Sequence, residues 1–301
     1  MPDKDSRYRF VLEKTNVRGV VVNLQETWRE VLSRADYPPN VRRVLGHAMV
    51  AMPLLASTIK FEGKLTLQAK GSGPVGLLVV QADASGGQRG LAHWQSEPPE
   101  SPLSQIFGDA TLTIQIESGR RGEVYQGIVE AAGDSLQDAL GRYFENSEQL
   151  PTQLILHCDD QQAAGMLIQQ LPASADGPVS EDPEEDWNRV SIMAATVGAN
   201  ELLGAEVSDL LPKVFSEDQV RLFDPEPLRF DCRCSRERTA GLIEGLGRKE
   251  AEEILADEGQ IEVTCEFCNS KEVFDSIDVD TIFRENVFSS GAQSDSPGSL
   301  H

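Results

Sequence analysis

Four cysteines near the C-terminal end constrain this chain more than any other feature. They form two close pairs, Cys232 with Cys234 and Cys265 with Cys268, separated by thirty residues. Two close pairs around a foldable insert are typical of one tetrahedral zinc ion to which each pair supplies two thiolates. The 301 residues contain one further cysteine, Cys158. We therefore predict that the four cysteines bind zinc, in preference to four unrelated buried thiols.

The charge balance argues against nucleic acids, the partners that zinc knuckles most often bind, and against anionic membranes. The chain has 27 basic and 49 acidic residues, which gives a formal net charge of −22. Phosphate backbones and anionic membranes call for clustered Lys and Arg, which an acidic surplus of this size opposes. We expect neither a nucleic-acid partner nor a membrane partner.

The N-terminus and the apolar runs predict a cytoplasmic location. The first ten residues, MPDKDSRYRF, lack the apolar region of a signal peptide. No apolar run approaches the length of about 20 residues that a bilayer requires. Cytoplasmic thiols stay reduced, so the paired cysteines favour metal binding or redox sensing over a disulfide framework.

The pattern of elements predicts an α+β fold, with a mainly antiparallel sheet and helices in a core domain over residues 1–174. We expect two strands within 8–23, a helix that Thr27 caps, and an apolar helix over 40–59. Further strands are predicted at 64–70, 75–83, 89–94, 111–118, 123–131, 152–160 and 163–171, with a helix at 135–144. Gly71–Pro74 joins two of these strands, so we interpret it as a hairpin turn rather than a phosphate loop.

A change in composition marks the end of the core domain. Residues 173–185 are rich in Pro, Ser, Asp and Glu, which is typical of a linker. Residues 187–223 then show an apolar, helical pattern, and helices this short must pack on something else. We group 175–227 as a linker and helical region.

The cysteine module is expected over 228–286. Its insert predicts two short helices, whose apolar positions are Ala240, Ile243 and Leu246 in the first and Ala251, Ile254 and Leu255 in the second. Residues 261–263 and 271–274 predict a small hairpin around Cys265 and Cys268, and 278–286 a final helix. The tail, 287–301, is low in apolar residues and is predicted to be disordered.

The candidate site residues do not indicate catalysis. Four thiolates leave zinc without an open position for substrate or activated water, which disfavours hydrolase chemistry. His157 and Cys158 are adjacent in a predicted strand and therefore point to opposite faces, which disfavours a nucleophile pair. We expect a protein that is not an enzyme.

A site of this kind is open to oxidation, because zinc keeps all four cysteines as thiolates, the oxidisable form. Structural zinc contributes about 10–16 kcal/mol to folding of small modules. Disulfides that close loops of three or four residues contribute only about 1.5–2 kcal/mol each. A module of this size has little core in reserve, so the exchange of zinc for two local disulfides is expected to unfold it.

Several motifs together resemble the heat shock protein 33 family, the redox-regulated holdase chaperones of the bacterial cytosol. The cysteine pattern matches, including the run CRCSRER over 232–238. So do GSGPVG over 71–76, RYFENSEQLPT over 142–152 and AAGMLIQQLP over 163–172. The resemblance covers nearly the whole chain except the tail.

The resemblance implies a reduced, zinc-bound and inactive monomer. In this family, oxidation pairs the cysteines that correspond to Cys232 with Cys234 and to Cys265 with Cys268, ejects zinc and unfolds the linker. The product is a dimer that holds unfolding client proteins without ATP. These roles carry over because all four cysteine positions match.

Two other functions compete with this interpretation. A thiol–disulfide oxidoreductase would use Cys265 and Cys268 as a redox pair, and it predicts a thioredoxin-like placement between a strand and a helix. A zinc-ribbon nucleic-acid binder predicts a basic patch near the cysteines. The candidates for such a patch are Arg233, Arg236, Arg238, Arg248 and Lys249.

Overall fold

The structure, a computed structural model, describes residues 5–59, 61–118, 123–129, 133, 135–172, 180 and 182–290. The chain divides between Asp231 and Cys232 into two compact units. The predicted α+β class is confirmed, with antiparallel sheets and interspersed helices. No helix among the described residues has the length and apolar character needed to cross a membrane.

The first unit alternates strands and helices. Its elements are β1 Asp5–Leu12, β2 Val17–Leu24, α1 Glu26–Leu32, α2 Pro39–Ala56, β3 Gly63–Lys70, β4 Val75–Asp83, β5 Gly87–Trp94, α3 Leu103–Phe107, β6 Thr111–Ser118, β7 Glu123–Val129, α4 Leu136–Ser147, β8 Thr152–Cys158, β9 Ala163–Gln170, α5 Pro183–Ala195, α6 Ala199–Gly204, α7 Val207–Val214, β10 Val220–Leu222, β11 Glu226–Pro227 and β12 Arg229–Phe230. The second unit contains α8 Arg236–Leu246, α9 Arg248–Glu258, β13 Ile261–Thr264, β14 Lys271–Phe274 and α10 Ser276–Ser290.

The strands of the first unit form two six-stranded sheets. The first sheet has the order β10-β1-β2-β9-β8, and β11 also pairs with β1. The second has the order β12-β5-β4-β3-β6-β7. Among the described strands, β12 with β5 is the one parallel pair. The antiparallel β3–β4 pair confirms that Gly71–Pro74 is a hairpin turn.

Helix α2 lies between the two sheets. It contacts β2, β8 and β9 of the first sheet and β3, β4 and β5 of the second. Twelve of its eighteen residues are buried, including Met49 and Met52. A helix that is apolar on all sides must be enclosed. The predicted helix over 40–59 is therefore confirmed as the centre of the main core.

The first sheet is buried on both faces. In β2, Val20 and Val22 face the core around α2, whereas Val17 and Val21 face the opposite side, as strand periodicity requires. On that opposite side pack α5, α6 and α7, which contribute Val190, Leu202, Leu210 and other buried side chains. The predicted helical segment is thus confirmed, and its partner is the first sheet.

The capping prediction for Thr27 is wrong. Thr27 lies inside α1, which begins at Glu26. The carboxylate of Asp5, distant in sequence, instead accepts the backbone N–H groups of Gln25 and Glu26 at 2.8 and 3.1 Å and that of Thr27. Burial raises the pKa of Asp5, and these backbone hydrogen bonds counteract part of that rise.

The predicted linker stretch also contains the start of a helix. Residues 173–179 and 181 lie outside the described residues, but 183–185 form the first turn of α5, and Asp182 caps it by accepting the N–H of Glu185 at 3.0 Å. Pro183 stands at the first position of α5, where proline is well suited. A stretch rich in Pro, Ser, Asp and Glu is also typical of a linker, so its composition does not reveal the start of the helix. The predicted four-part division stays a prediction.

Smaller differences concern segment ends. Residues 220–222 form a strand on β1, and 228–231 belong to the first compact unit. Leu246, predicted on the apolar face of its helix, is 48% exposed because α8 ends there. Helix α10 runs to Ser290, while 291–301 of the predicted tail and 130–131 of a predicted strand lie outside the described residues.

The close packing of α2 on the first sheet leads to a prediction about stability. A Cβ at Gly165 of β9 would lie 2.4 Å from Val50 Cγ1 and 3.0 Å from Leu54 Cδ1. Gly165→Ala should overpack this contact and lower the free energy of unfolding by about 1–3 kcal/mol, measured by urea unfolding with circular dichroism. Gly204→Ala is the matched control, since nothing lies within 4 Å of its Cβ position. Equal stability of the two variants would contradict the close approach.

Candidate metal centre

The first cysteine pair stands immediately before helix α8. Cys232 and Cys234 precede Ser235, the N-cap of that helix, whose hydroxyl accepts the N–H of Arg238 at 3.3 Å. The Ser235 carbonyl accepts from the Thr239 hydroxyl at 3.1 Å. These bonds fix the chain direction directly after Cys234, so the pair is held by the start of a helix.

The second pair occupies the turn of the β13–β14 hairpin, as predicted. The backbone N–H of Cys265 donates to the Ser270 carbonyl at 2.9 Å, and the N–H of Asn269 donates to the Cys265 carbonyl at 2.7 Å. Asn269 has a φ of 56°, a left-handed conformation that Asn adopts more readily than most residues. This tight turn brings Cys265 and Cys268 to the same side.

The fold brings all four sulfurs together. Their Sγ atoms lie within 4.8 Å of one another. The nearest contacts join one pair to the other, with Cys232 Sγ 3.6 Å from Cys265 Sγ and Cys234 Sγ 3.3 Å from Cys268 Sγ. Zinc–sulfur bonds of about 2.3 Å in a tetrahedron place sulfurs about 3.8 Å apart. The four cysteines could therefore hold one metal ion.

The surroundings of the cluster oppose ionisation of the free thiols. All four cysteines are half-buried. Burial raises the pKa of Cys268 strongly, and the neighbouring cysteine sulfurs raise it further. Burial likewise raises the pKa of Cys234. Without a cation the cluster disfavours its own ionisation, whereas a divalent metal stabilises the thiolates that bind it.

The comparisons with known proteins cover almost the whole chain. The family model for Hsp33 protein matches residues 5–275. A 33 kDa chaperonin of Nitrosococcus oceani is 42% identical over 287 residues, which span 95% of this chain and 97% of the relative. A 33 kDa chaperonin of Azotobacter vinelandii is 41% identical over 94% of this chain and 96% of its own length. The chain belongs to the Hsp33 family.

A solved structure shares the fold. The crystal structure of a 33 kDa chaperonin, a heat shock protein 33 homologue from Thermotoga maritima, superposes with a TM-score of 0.77 at 22% identity. The match covers 95% of this chain and 99% of the other. The family model and the relatives thus confirm the resemblance that the motifs predicted, and the solved structure adds a shared fold.

Arg236 of this Hsp33 centre was predicted from the sequence only as one candidate for a basic patch, and its structural role was missed. Its guanidinium lies 4.3 Å from the ring centroid of Phe274. It also donates to the Val273 carbonyl at 2.9 Å, to Asp278 at 2.7 Å and to Glu272 at 3.3 Å. Arg236 therefore ties the segment after the first cysteine pair to the hairpin that carries the second. Its place in the run CRCSRER was the available signal.

Three of the five candidate cations for the basic patch that a nucleic-acid binder would need contact acids within the module. Besides Arg236, Arg248 contacts Glu252 at 2.7 Å and Asp280 at 2.8 Å. Lys249 lies 3.6 Å from Glu253. Cations paired in this way offer little field to a phosphate backbone, which argues against the zinc-ribbon nucleic-acid binder.

The geometry also argues against a thioredoxin-like oxidoreductase. Cys265 and Cys268 lie in a hairpin turn and not at the start of a helix, where a dipole would lower a thiol pKa. The pKa of Cys268 is instead raised, chiefly by burial. Cys158, at the end of β8, is half-buried as predicted, and burial raises its pKa to about 12. Neither is poised as a nucleophile.

The contacts that Arg236 makes between the two cysteine-bearing segments lead to a prediction about metal retention. Arg236→Met keeps an unbranched apolar stem but removes the guanidinium that contacts Asp278 and Glu272. Metal loss to a chromogenic chelator should become severalfold faster, because the two cysteine-bearing segments are tied less firmly. Lys249→Met is the control, since its side chain is 92% exposed. The same rate in both variants would show that Arg236 has no part in holding the centre.

Proposed function

We propose that this Hsp33-family protein is a redox-regulated, ATP-independent holdase that binds unfolding proteins under oxidative stress. The observation that carries the proposal is the four-sulfur cluster, assembled from two chain segments and fitted to one metal ion. In the reduced and inactive form, Cys232, Cys234, Cys265 and Cys268 bind zinc. The reducing environment that such a switch needs places the protein in the cytoplasm.

Zinc fits the donor set best among the common cations. Four thiolates are soft ligands, and a closed tetrahedral arrangement is typical of structural zinc. The metal would contribute most of the module's stability, about 10–16 kcal/mol in small zinc modules. The module's own core supports this dependence: its fully buried apolar side chains among the described residues are Ile243, Ala251, Ile261, Phe274 and Val279.

Oxidation would remove that support. Each cysteine pair would give two electrons to an oxidant such as peroxide, forming one S–S bond while the peroxide is reduced to water. Pairing of Cys232 with Cys234 and of Cys265 with Cys268 follows the family resemblance. Disulfides are poor zinc ligands, so the metal would leave. The two disulfides, which close short loops, would stabilise the module by only about 1.5–2 kcal/mol each. This is far less than the stabilisation lost with the metal.

The surface for client proteins would come from the helices on the first sheet. These helices, α5, α6 and α7, have 13, 6 and 8 residues, too few to remain helical alone. When they detach, they expose their own apolar side chains and those that they cover, including Phe10, Val21, Met166 and Ile168. Large apolar surfaces mark interaction sites, so client binding and formation of a homodimer would occur together. The net charge of −22 would keep this form in solution.

The metal assignment is tested by composition and spectroscopy. The reduced protein should contain one zinc ion per chain with four sulfurs at about 2.3 Å in X-ray absorption. Substitution of any one of the four cysteines with Ser should reduce zinc content and loosen the second unit. Cys158→Ala is the control and should retain zinc. Nitrogen or oxygen ligands in the first shell would contradict the assignment.

The chaperone activity is tested with the two redox forms side by side. Peroxide-treated protein should suppress aggregation of a thermally unfolded test protein in the absence of ATP, and the reduced protein should not. Zinc release, followed with a chromogenic chelator, should accompany the gain. Equal suppression by both forms would rule out the switch, and suppression by neither would rule out the holdase.

A further inference from the structure

The segment that leads into the cysteine module is bound along the edges of both large sheets. We call residues 219–231 the strap. Within it, β10 and β11 pair with β1 at the edge of the first sheet. After Pro227 the strap crosses to the second sheet, where β12 pairs in parallel with β5. The strap ends at Asp231, directly before Cys232.

Backbone hydrogen bonds hold the strap along its whole length. On β1, Gln219 accepts from Glu13, Phe223 donates to Arg9 and Leu228 donates to Asp5, each at 2.9 Å. On the second sheet, Arg229 donates to Gly86 at 3.0 Å and Asp231 donates to Gln88 at 2.9 Å. Bonds of this kind depend on main-chain groups and not on the identity of the side chain.

Side chains add further anchors to this attachment. Leu228 is the one buried side chain of the strap. Glu226 pairs with Arg7 and Arg9 of β1, and Phe230, partly buried, lies under the guanidinium of Arg34 at 5.6 Å. The Arg229 side chain also donates to the carbonyl and hydroxyl oxygens of Ser85 at 2.8 and 3.1 Å. The strap is therefore an extended chain held by backbone hydrogen bonds together with side-chain anchors.

The turn between β4 and β5 is shaped to receive a backbone. A Cβ at Gly86 would lie 2.3 Å from the Pro227 carbonyl oxygen, and Gly86 has a φ of 86°. A Cβ at Gly87 would lie 2.8 Å from a carboxylate oxygen of Asp231. Both glycines leave room that any larger residue would fill, which allows an extended chain to approach the edge of β5 closely.

We propose that the strap occupies a binding edge for extended segments of unfolded proteins. The inference rests on the proposed function, in which oxidation releases this part of the chain. Departure of the strap leaves the outer edges of β1 and β5 with unpaired N–H and C=O groups, which readily accept another strand. Main-chain pairing suits a chaperone that must bind many unrelated sequences. The edges add a second mode of binding to the apolar surface under α5–α7.

Hydrogen–deuterium exchange of the full-length protein tests this assignment. The probe is reduced and carboxymethylated α-lactalbumin, which stays unfolded and carries no free thiol. Amides in 5–13 and 84–90 should exchange at least about tenfold faster after oxidation and become protected again when the probe is bound. Edges that stay protected after oxidation, or that stay unprotected with the probe bound, overturn the inference.

Two further readouts separate the alternatives. If the edge amides become protected in the absence of the probe, to a degree that grows with the concentration of oxidised protein, the edges bind a second copy of this chain and the inference is overturned. Failure of the oxidised protein to bind the probe at all, measured by gel filtration, overturns the proposed holdase and the inference with it. If the probe binds while the amides of both edges stay unprotected, the proposed holdase function stands and only the assignment of the edges as the binding site is overturned.

Competition by a peptide provides the matched control for backbone recognition. A synthetic peptide of residues 218–231 contains no cysteine and should displace the probe from oxidised protein. The same peptide with N-methyl groups at Phe223, Leu228 and Arg229 keeps its side chains but loses the three N–H donors that bond to Arg9, Asp5 and Gly86. It should compete several times less well. Equal competition by the two peptides overturns the proposal.

Discussion

The feature on which the proposed regulation of the second unit depends is the approach of four sulfurs from two chain segments. The Sγ atoms lie within 4.8 Å of one another although burial raises the pKa of Cys234 and Cys268. Around them the module has few buried apolar side chains and several exposed ones, such as Leu242 and Ile277. A cation at the centre would satisfy the sulfurs and compensate for the small core. The same arrangement makes the module sensitive to any reagent that converts thiolates to disulfides.

The first unit has the opposite character, because its main core needs no metal. Helix α2 is enclosed by two sheets, and the buried residues around it form the largest apolar cluster of the described chain. The outer face of the first sheet is covered instead by three short helices. Local stability follows the number and continuity of buried contacts, so the two faces of one sheet differ in how readily they can open. Under the proposed function, the face that carries α2 would stay covered and the face that carries α5–α7 would be the one that opens.

Sequence patterns predicted those features that local periodicity or spacing determines. The apolar positions of α2, the alternation of the strands and the spacing of the four cysteines all correspond to the structure. The errors involve partners distant in sequence. Asp5 caps α1 from twenty residues away, and the short strands of the strap exist only because β1 and β5 offer free edges. From the sequence, Arg236 could be recognised only as a positive charge, because its contacts with Phe274 and Asp278 form only in the folded module.

If the proposed switch operates, the strap is the part of the first unit that a change at the cysteines would reach first along the chain. Its last backbone bond, from Asp231 to Gln88, and the first sulfur of the cluster, on Cys232, belong to consecutive residues. No linker residue separates the two, so under the proposed switch a displacement of Cys232 would be transmitted along the chain to Asp231. Because β12 contains two residues, few backbone hydrogen bonds join it to β5, although Arg229 and Phe230 add side-chain contacts. Release can then proceed along β11 and β10, each also short, one bond at a time. A long strand in this place would bind more tightly but would not respond to events at Cys232.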